Sequence, residues 1–122
     1  MTGRDQTRQE VSVTTSDRSN FLLAPQHKLR IGAWNVRTMY EDGRTEQVLG
    51  EFRRLRLDIL GISESRWTGE GEEIMENGEH VIYSGRPDNL HHLGVAVMMN
   101  LKARRSLIDW KPVNSRLITA RF

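Results

Sequence analysis

Apolar and polar positions change their period along this chain, and the changes mark out its elements. Residues 1 to about 27 are rich in Thr, Ser, Gln, Asp and Arg and hold almost no core-forming side chain before Phe21-Leu22-Leu23. Such a segment cannot bury enough surface to offset chain entropy and reads as a disordered leader closed by Pro25. From Leu29 the pattern alternates: Leu29, Ile31 and Ala33 against Arg30, Gly32 and Trp34, as far as Asn35, which predicts a strand. A turn over Tyr40-Glu41-Asp42-Gly43-Arg44 follows. Thr45 is placed to cap a helix whose buried stripe, Val48, Leu49, Phe52 and Leu55, keeps a 3.6-residue period. Arg53, Arg54 and Arg56 crowd its C-terminal end, where cations suit the helix dipole. Leu57 to Ser63 is a near-continuous apolar run and predicts a second strand.

A crossover of this length returns the second strand parallel to the first. If the two strands are neighbours, Asn35 and Glu64 lie side by side at their carboxyl ends, where open sheets place ligands. Downstream the pattern turns antiparallel. Asn77-Gly78 signals a two-residue hairpin between Glu72–Glu76 and Glu79–Ser84. Gly85 to His92 reads as a polar loop, and Leu93 to Met99 as a buried strand. Ser106 to Trp110 predicts another strand, Pro112-Val113-Asn114-Ser115 a turn, and Arg116 to Phe122 a final strand that ends with the chain. The glycines at 69 and 71 read as turn residues.

With 122 residues the chain has room for one small domain at most. Cysteine is absent, which excludes disulfide partners and thiolate metal sites and suits an intracellular protein, nuclear or cytoplasmic. No apolar run approaches a membrane span. The formal net charge of +2 is too small to argue nucleic-acid binding by itself. Electrostatic capture of a polyanion needs a clustered basic face, which composition does not reveal.

Candidate chemistry is sparse. Glu64, at a strand end before a polar, glycine-containing loop, reads either as a solvated acid or as a ligand for a hard cation such as Mg²⁺. Asn35 reads either as a locally satisfied amide or as a group that orients a phosphate oxygen or a carboxylate. Arg37, Arg66 and Arg116 are candidate phosphate donors, each also an ordinary surface arginine. Adjacent His91 and His92 point apart on an extended chain and make a poor metal pair. Trp34 and Trp110 read as core, and Trp67 as a candidate substrate contact by stacking. No phosphate-cradling glycine loop, nucleophilic triad or zinc spacing is present.

Four segments carry a resemblance: Ile31 to Met39, Asp58 to Trp67, Gly94 to Met98 and Asn114 to Phe122. In order and spacing they resemble the endonuclease/exonuclease/phosphatase superfamily. Within it they look most like LINE-type retrotransposon endonuclease domains and the host proteins called craniofacial development protein 2-like.

The resemblance implies an α/β (α+β) fold, the N-terminal portion of a four-layer αββα sandwich over residues 28–122. It also implies hydrolysis of DNA phosphodiesters with Mg²⁺ or Mn²⁺. In that scheme Asn35 positions the phosphate and Glu64 holds the metal, both as catalytic residues, while Arg116 and Trp67 lie near the substrate. Where apurinic-site nucleases of the superfamily carry an aspartate after the asparagine, this chain has Val36-Arg37. The superfamily's later motifs (a tyrosine, an aspartate–asparagine pair, a terminal aspartate–histidine pair) do not follow. Asp109 and Asn114 do not match their pattern. The expectation is therefore a partial domain without turnover of its own, with one sheet face left uncovered. A phosphatase acting on small phosphate esters and a non-catalytic interaction remnant of the same fold are the alternatives.

Overall fold

The structure, a computed structural model, describes residues 28–122; the leader expected over residues 1 to 27 lies outside them. Two sheets and two helices make a mixed α/β fold. In chain order the elements are β1 (Ile31–Asn35), α1 (Arg44–Arg54), β2 (Ile59–Ser63), β3 (Glu70–Ile74), β4 (His80–Ser84), β5 (Val95–Met99), α2 (Leu101–Ser106), β6 (Asp109–Asn114) and β7 (Leu117–Arg121). The larger sheet has the order β1-β2-β5-β4-β3, and β6 and β7 pair as a separate ribbon.

The β1–α1–β2 unit forms as its periodicity predicts. β1 and β2 are adjacent and parallel, registered from Ile31 opposite Ile59 to Asn35 opposite Ser63. All remaining pairs in both sheets are antiparallel.

Alternation along the strands divides the core into two layers. Leu60, Ile62, Val81, Ala96 and Met98 face α1 and meet Val48, Leu49 and Phe52 there, with Val36 and Met39 from the β1–α1 loop. Ile59, Ile82 and Met99 face the other way. They pack with Ala103 of α2 and with the half-buried Trp110, Ile118, Ala120 and Phe122 of the ribbon. Helix, sheet and ribbon are thus three layers, and the ribbon covers part of the sheet face expected to lie open. On β1 no described element covers that face: Ile31, Ala33 and Asn35 are exposed, while Gly32 and Trp34 are half-buried.

Several local expectations are corrected. Thr45 does not cap α1; Gly43 takes that position in the left-handed region (φ 83°), and the Thr45 hydroxyl donates to the Met39 carbonyl. Leu55 ends the helix and is exposed, because the chain turns away through Arg56 (φ 54°) before β2. The β3–β4 hairpin has a longer loop: Met75 N–H donates to Glu79 O, and Gly78 N–H closes a turn on Met75 O. Gly78, at φ 95°, supplies the left-handed residue such a bulged loop requires. Gly71 belongs to β3, close under the Tyr83 ring, rather than to a turn.

Residues 101–106 form a helix that the periodicity does not predict, and of the strand expected over Ser106 to Trp110 only Asp109 and Trp110 are extended in β6. Asn100 caps the helix, its side chain accepting from Ala103 N–H, and the strand begins later, at Asp109. Pro112 to Asn114 is the bulged end of β6 rather than a turn.

Candidate active site

Period-2 alternation puts Asn35 on the open face at the last position of β1, and the next strand brings Glu64 beside it. Asn35 Nδ2 donates to Glu64 Oε2 at 2.7 Å. The other side of the amide is also engaged, Asn35 Oδ1 accepting from Arg37 N–H at 3.0 Å. With donor and acceptor both used, the carboxamide has one orientation, and it holds one carboxylate oxygen. Arg66 lies 3.9 Å from Glu64 Oε1, too far for a hydrogen bond but near enough to add positive potential. The Glu64 side chain is 40% exposed, so solvent or a ligand reaches it.

The backbone around the pair is strained. Arg37, Glu64, Arg66 and Leu93 all have φ between 56° and 66°, a region that typically costs non-glycine residues about 1–3 kcal/mol each. Neighbouring loops hold these conformations in place. Arg66 N–H donates to Leu93 O (2.8 Å), Ser65 N–H to Gly94 O (3.2 Å) and Met39 N–H to Ser65 O (2.7 Å). Ser65 is fully buried and its hydroxyl finds no partner among the described residues. A Cβ on Gly94 would come within 2.6 Å of that oxygen, so glycine is needed here for space as well as for its φ of 94°.

The other predicted residues stand as follows. Arg116 is exposed on the β6–β7 turn at the same end of the fold: Gly94 N–H donates to Ser115 O at 2.9 Å, and Arg116 N–H is held by Asn114 Oδ1 at 2.8 Å. No bond ties the Arg116 guanidinium to Glu64. Trp67 is half-buried against the first core layer, donates its indole N–H to Met39 O (3.1 Å) and meets Tyr83 edge-on. It also borders a cleft of about 420 Å³ shared with Tyr40, Glu46, Glu73, Tyr83 and His91. His91 stacks on Tyr40 with centroids 3.7 Å apart, and its Nδ1 lies 3.0 Å from Arg66 O. Asp109 pairs with Arg121, so it has a structural partner of its own.

Sequence reasoning passed over Arg44, whose guanidinium donates to Val36 O (2.8 Å) and Thr38 O (3.2 Å) and ties the loop after Asn35 to α1. It also passed over Ser65 and Gly94. The serine between two polar loop residues gave no signal of burial.

Among the described residues no group of three or more His, Cys, Asp and Glu gathers to form a protein-only cation cage. Glu64 offers a single carboxylate next to a fixed amide. That donor set fits Mg²⁺ or Mn²⁺ completing its shell with water and a substrate phosphate.

This geometry occurs in a chain with recorded relatives. Craniofacial development protein 2 of Bos taurus is 41% identical over 92 residues, covering 75% of this chain and 15% of that protein. The protein of the same name from Tragulus javanicus is 36% identical over 111 residues, 91% of this chain and 19% of its own length. This chain is similar to a segment of craniofacial development protein 2. These similarities support the craniofacial development protein 2 family, of whose curated members the chain spans less than a fifth. No family model and no solved structure matches. No helix among the described residues is long and apolar enough to cross a membrane.

Proposed function

We propose that this chain, similar to a segment of the longer craniofacial development protein 2, supplies the first half of a metal-dependent phosphodiesterase site. In the longer protein, that site would hydrolyse DNA phosphodiesters in the manner of the LINE-type endonucleases the sequence resembles. The observation that carries the reading is the 2.7 Å bond from Asn35 Nδ2 to Glu64 Oε2 at the adjoining carboxyl ends of two parallel strands.

Glu64 would hold Mg²⁺ or Mn²⁺ through its exposed oxygen, and Asn35 fixes the carboxylate's rotamer. Arg66, and Arg116 from the neighbouring turn, add positive potential for a phosphate, while the cleft that Trp67 borders is lined by neither Asn35 nor Glu64. When bound, the cation polarises the phosphate and stabilises the leaving oxygen. Among the described residues no group of three or more His, Cys, Asp and Glu side chains forms around Glu64, so cation-dependent binding of a diester is the property to read out for this chain.

Calorimetric titration of a dinucleotide diester with and without Mn²⁺ tests the reading. The account expects cation-dependent binding that Glu64→Gln removes and Asn35→Ala weakens about tenfold or more, the amide being one charge-assisted hydrogen bond. Binding that ignores both Mn²⁺ and Glu64→Gln would overturn it and favour the interaction remnant.

A further inference from the structure

At the end of the sheet opposite the Asn35–Glu64 pair, the fold gathers cations from three distant stretches of sequence. Lys28 and Arg30 lead into β1, Arg56 lies in the turn from α1 to β2, and Lys102, Arg104 and Arg105 belong to α2. Asp58 is the hub that draws them together. Its carboxylate accepts from Arg30 N–H (2.8 Å) and from Asn100 Nδ2 (2.8 Å), and its carbonyl accepts from Asn100 N–H (3.0 Å) at the start of α2. Arg30 Nε in turn donates to Leu55 O at 3.0 Å, beside Arg56.

Asp58 is the one acid in these stretches, and it is buried. None of the six cations forms an ion pair among the described residues, whereas Arg53, Arg54, Arg86 and Arg121 all do. The β3–β4 loop brings Glu76 and the Arg53-paired Glu79 to the same end, with Gly78 facing Leu101, so six cations against Asp58 and Glu76 leave this end net basic by four in a chain of formal net charge +2. The basic face that composition could not reveal is therefore present, and it lies away from the candidate active site.

We propose that this end is a second docking surface, one that takes the phosphate backbone of duplex DNA without reading its sequence. Strands of five residues separate it from Glu64 by about 17 Å, so the two sites contact different phosphates. Duplex DNA carries one charge per ~1.7 Å of axis, and a cluster of this kind binds it by counterion release. An anionic membrane suits the surface less well. Its cations come from separate segments, and α2, with six residues, is too short to lay an apolar stripe into lipid.

The test is fluorescence anisotropy of the full chain with a random-sequence duplex in EDTA over a salt series. Wild-type affinity should fall steeply with salt. Neutralising two cations in Lys102→Gln/Arg105→Gln should weaken binding about tenfold or more and reduce the salt slope by about 2. Arg56→Gln, from a different segment, should reduce the slope by about 1, which keeps the test decisive if the α2 variant is poorly folded. Lys111→Gln on the ribbon should change nothing. Unchanged binding in both patch variants, an equal loss in Lys111→Gln, or capture by phosphatidylserine vesicles in place of DNA would each overturn the proposal. Because no divalent ion is present, failure of the metal-site reading would leave this result intact.

Discussion

Three glycine-to-alanine substitutions separate the cost of a left-handed backbone from the cost of lost space beside Glu64. At Gly50, within α1, an added Cβ meets nothing within 4 Å, so alanine should stabilise by about 0.5–1 kcal/mol through helix propensity. At Gly43 space is also open but φ is +83°, so alanine bears the conformational cost alone, about 1–2 kcal/mol. At Gly94 both costs apply. φ is +94°, and the new carbon would stand 2.6 Å from Ser65 Oγ, 3.1 Å from Arg66 N and 3.3 Å from Trp67 O. Two of those three atoms are backbone, so the crowding cannot be relieved by rotating one side chain.

Adding an overpacking cost of about 1–3 kcal/mol to the backbone term puts Gly94→Ala near 2–5 kcal/mol. Urea unfolding followed by tryptophan fluorescence measures all three, with the order Gly50→Ala, Gly43→Ala, Gly94→Ala from most to least stable. The same contact supports the site, since Gly94 O receives Ser65 N–H and Leu93 O receives Arg66 N–H. Gly94→Ala should therefore also disturb the amide resonances of Glu64 to Trp67 in the folded protein. A Gly94→Ala variant no less stable than Gly43→Ala would refute the close packing of this loop.

Two further predictions concern the scaffold. Arg53 donates to both oxygens of Glu79 at 2.7 and 3.0 Å and holds the Glu79 carboxyl below its usual range. The pair therefore contributes stability above the unfolded glutamate pKa of about 4.3, and that contribution is lost as pH falls through the lowered folded value. In Arg53→Met the urea midpoint should accordingly drop less between neutral and acid pH than in the wild type. Asp58→Ala strands the donors of Arg30 and Asn100 and should cost about 2–4 kcal/mol in urea unfolding, with Asp58→Asn, which keeps one acceptor oxygen, costing less.

What the sequence disclosed follows the range of the forces involved. The β1–α1–β2 unit was legible because its periods are local, and the parallel pairing that brings Asn35 to Glu64 follows from the crossover alone. α2 was not, although its signal was present: Asn100 is a good cap, and Leu101 to Arg105 are all strong helix formers. Its six residues span less than two turns, too few to show an amphipathic period.

The hairpin loop was misjudged because Asn-Gly serves both a two-residue turn and the bulged loop seen here. Around the site, the pair itself could be read, but its support could not. Ser65 and Gly94 meet only through tertiary packing. The basic end was hidden for the same reason, its cations running from Lys28 to Arg105 and converging only through Asp58.

The central claim is that Glu64, oriented by Asn35, anchors a divalent cation, and paramagnetic broadening by Mn²⁺ tests it most directly. In ¹⁵N spectra of the full chain, substoichiometric Mn²⁺ should broaden the Asn35 side-chain amide and the backbone amides of Glu64 and Ser65 first, and Glu64→Gln should abolish the effect. Broadening that centres on another part of the chain, or persists unchanged in Glu64→Gln, would contradict the account.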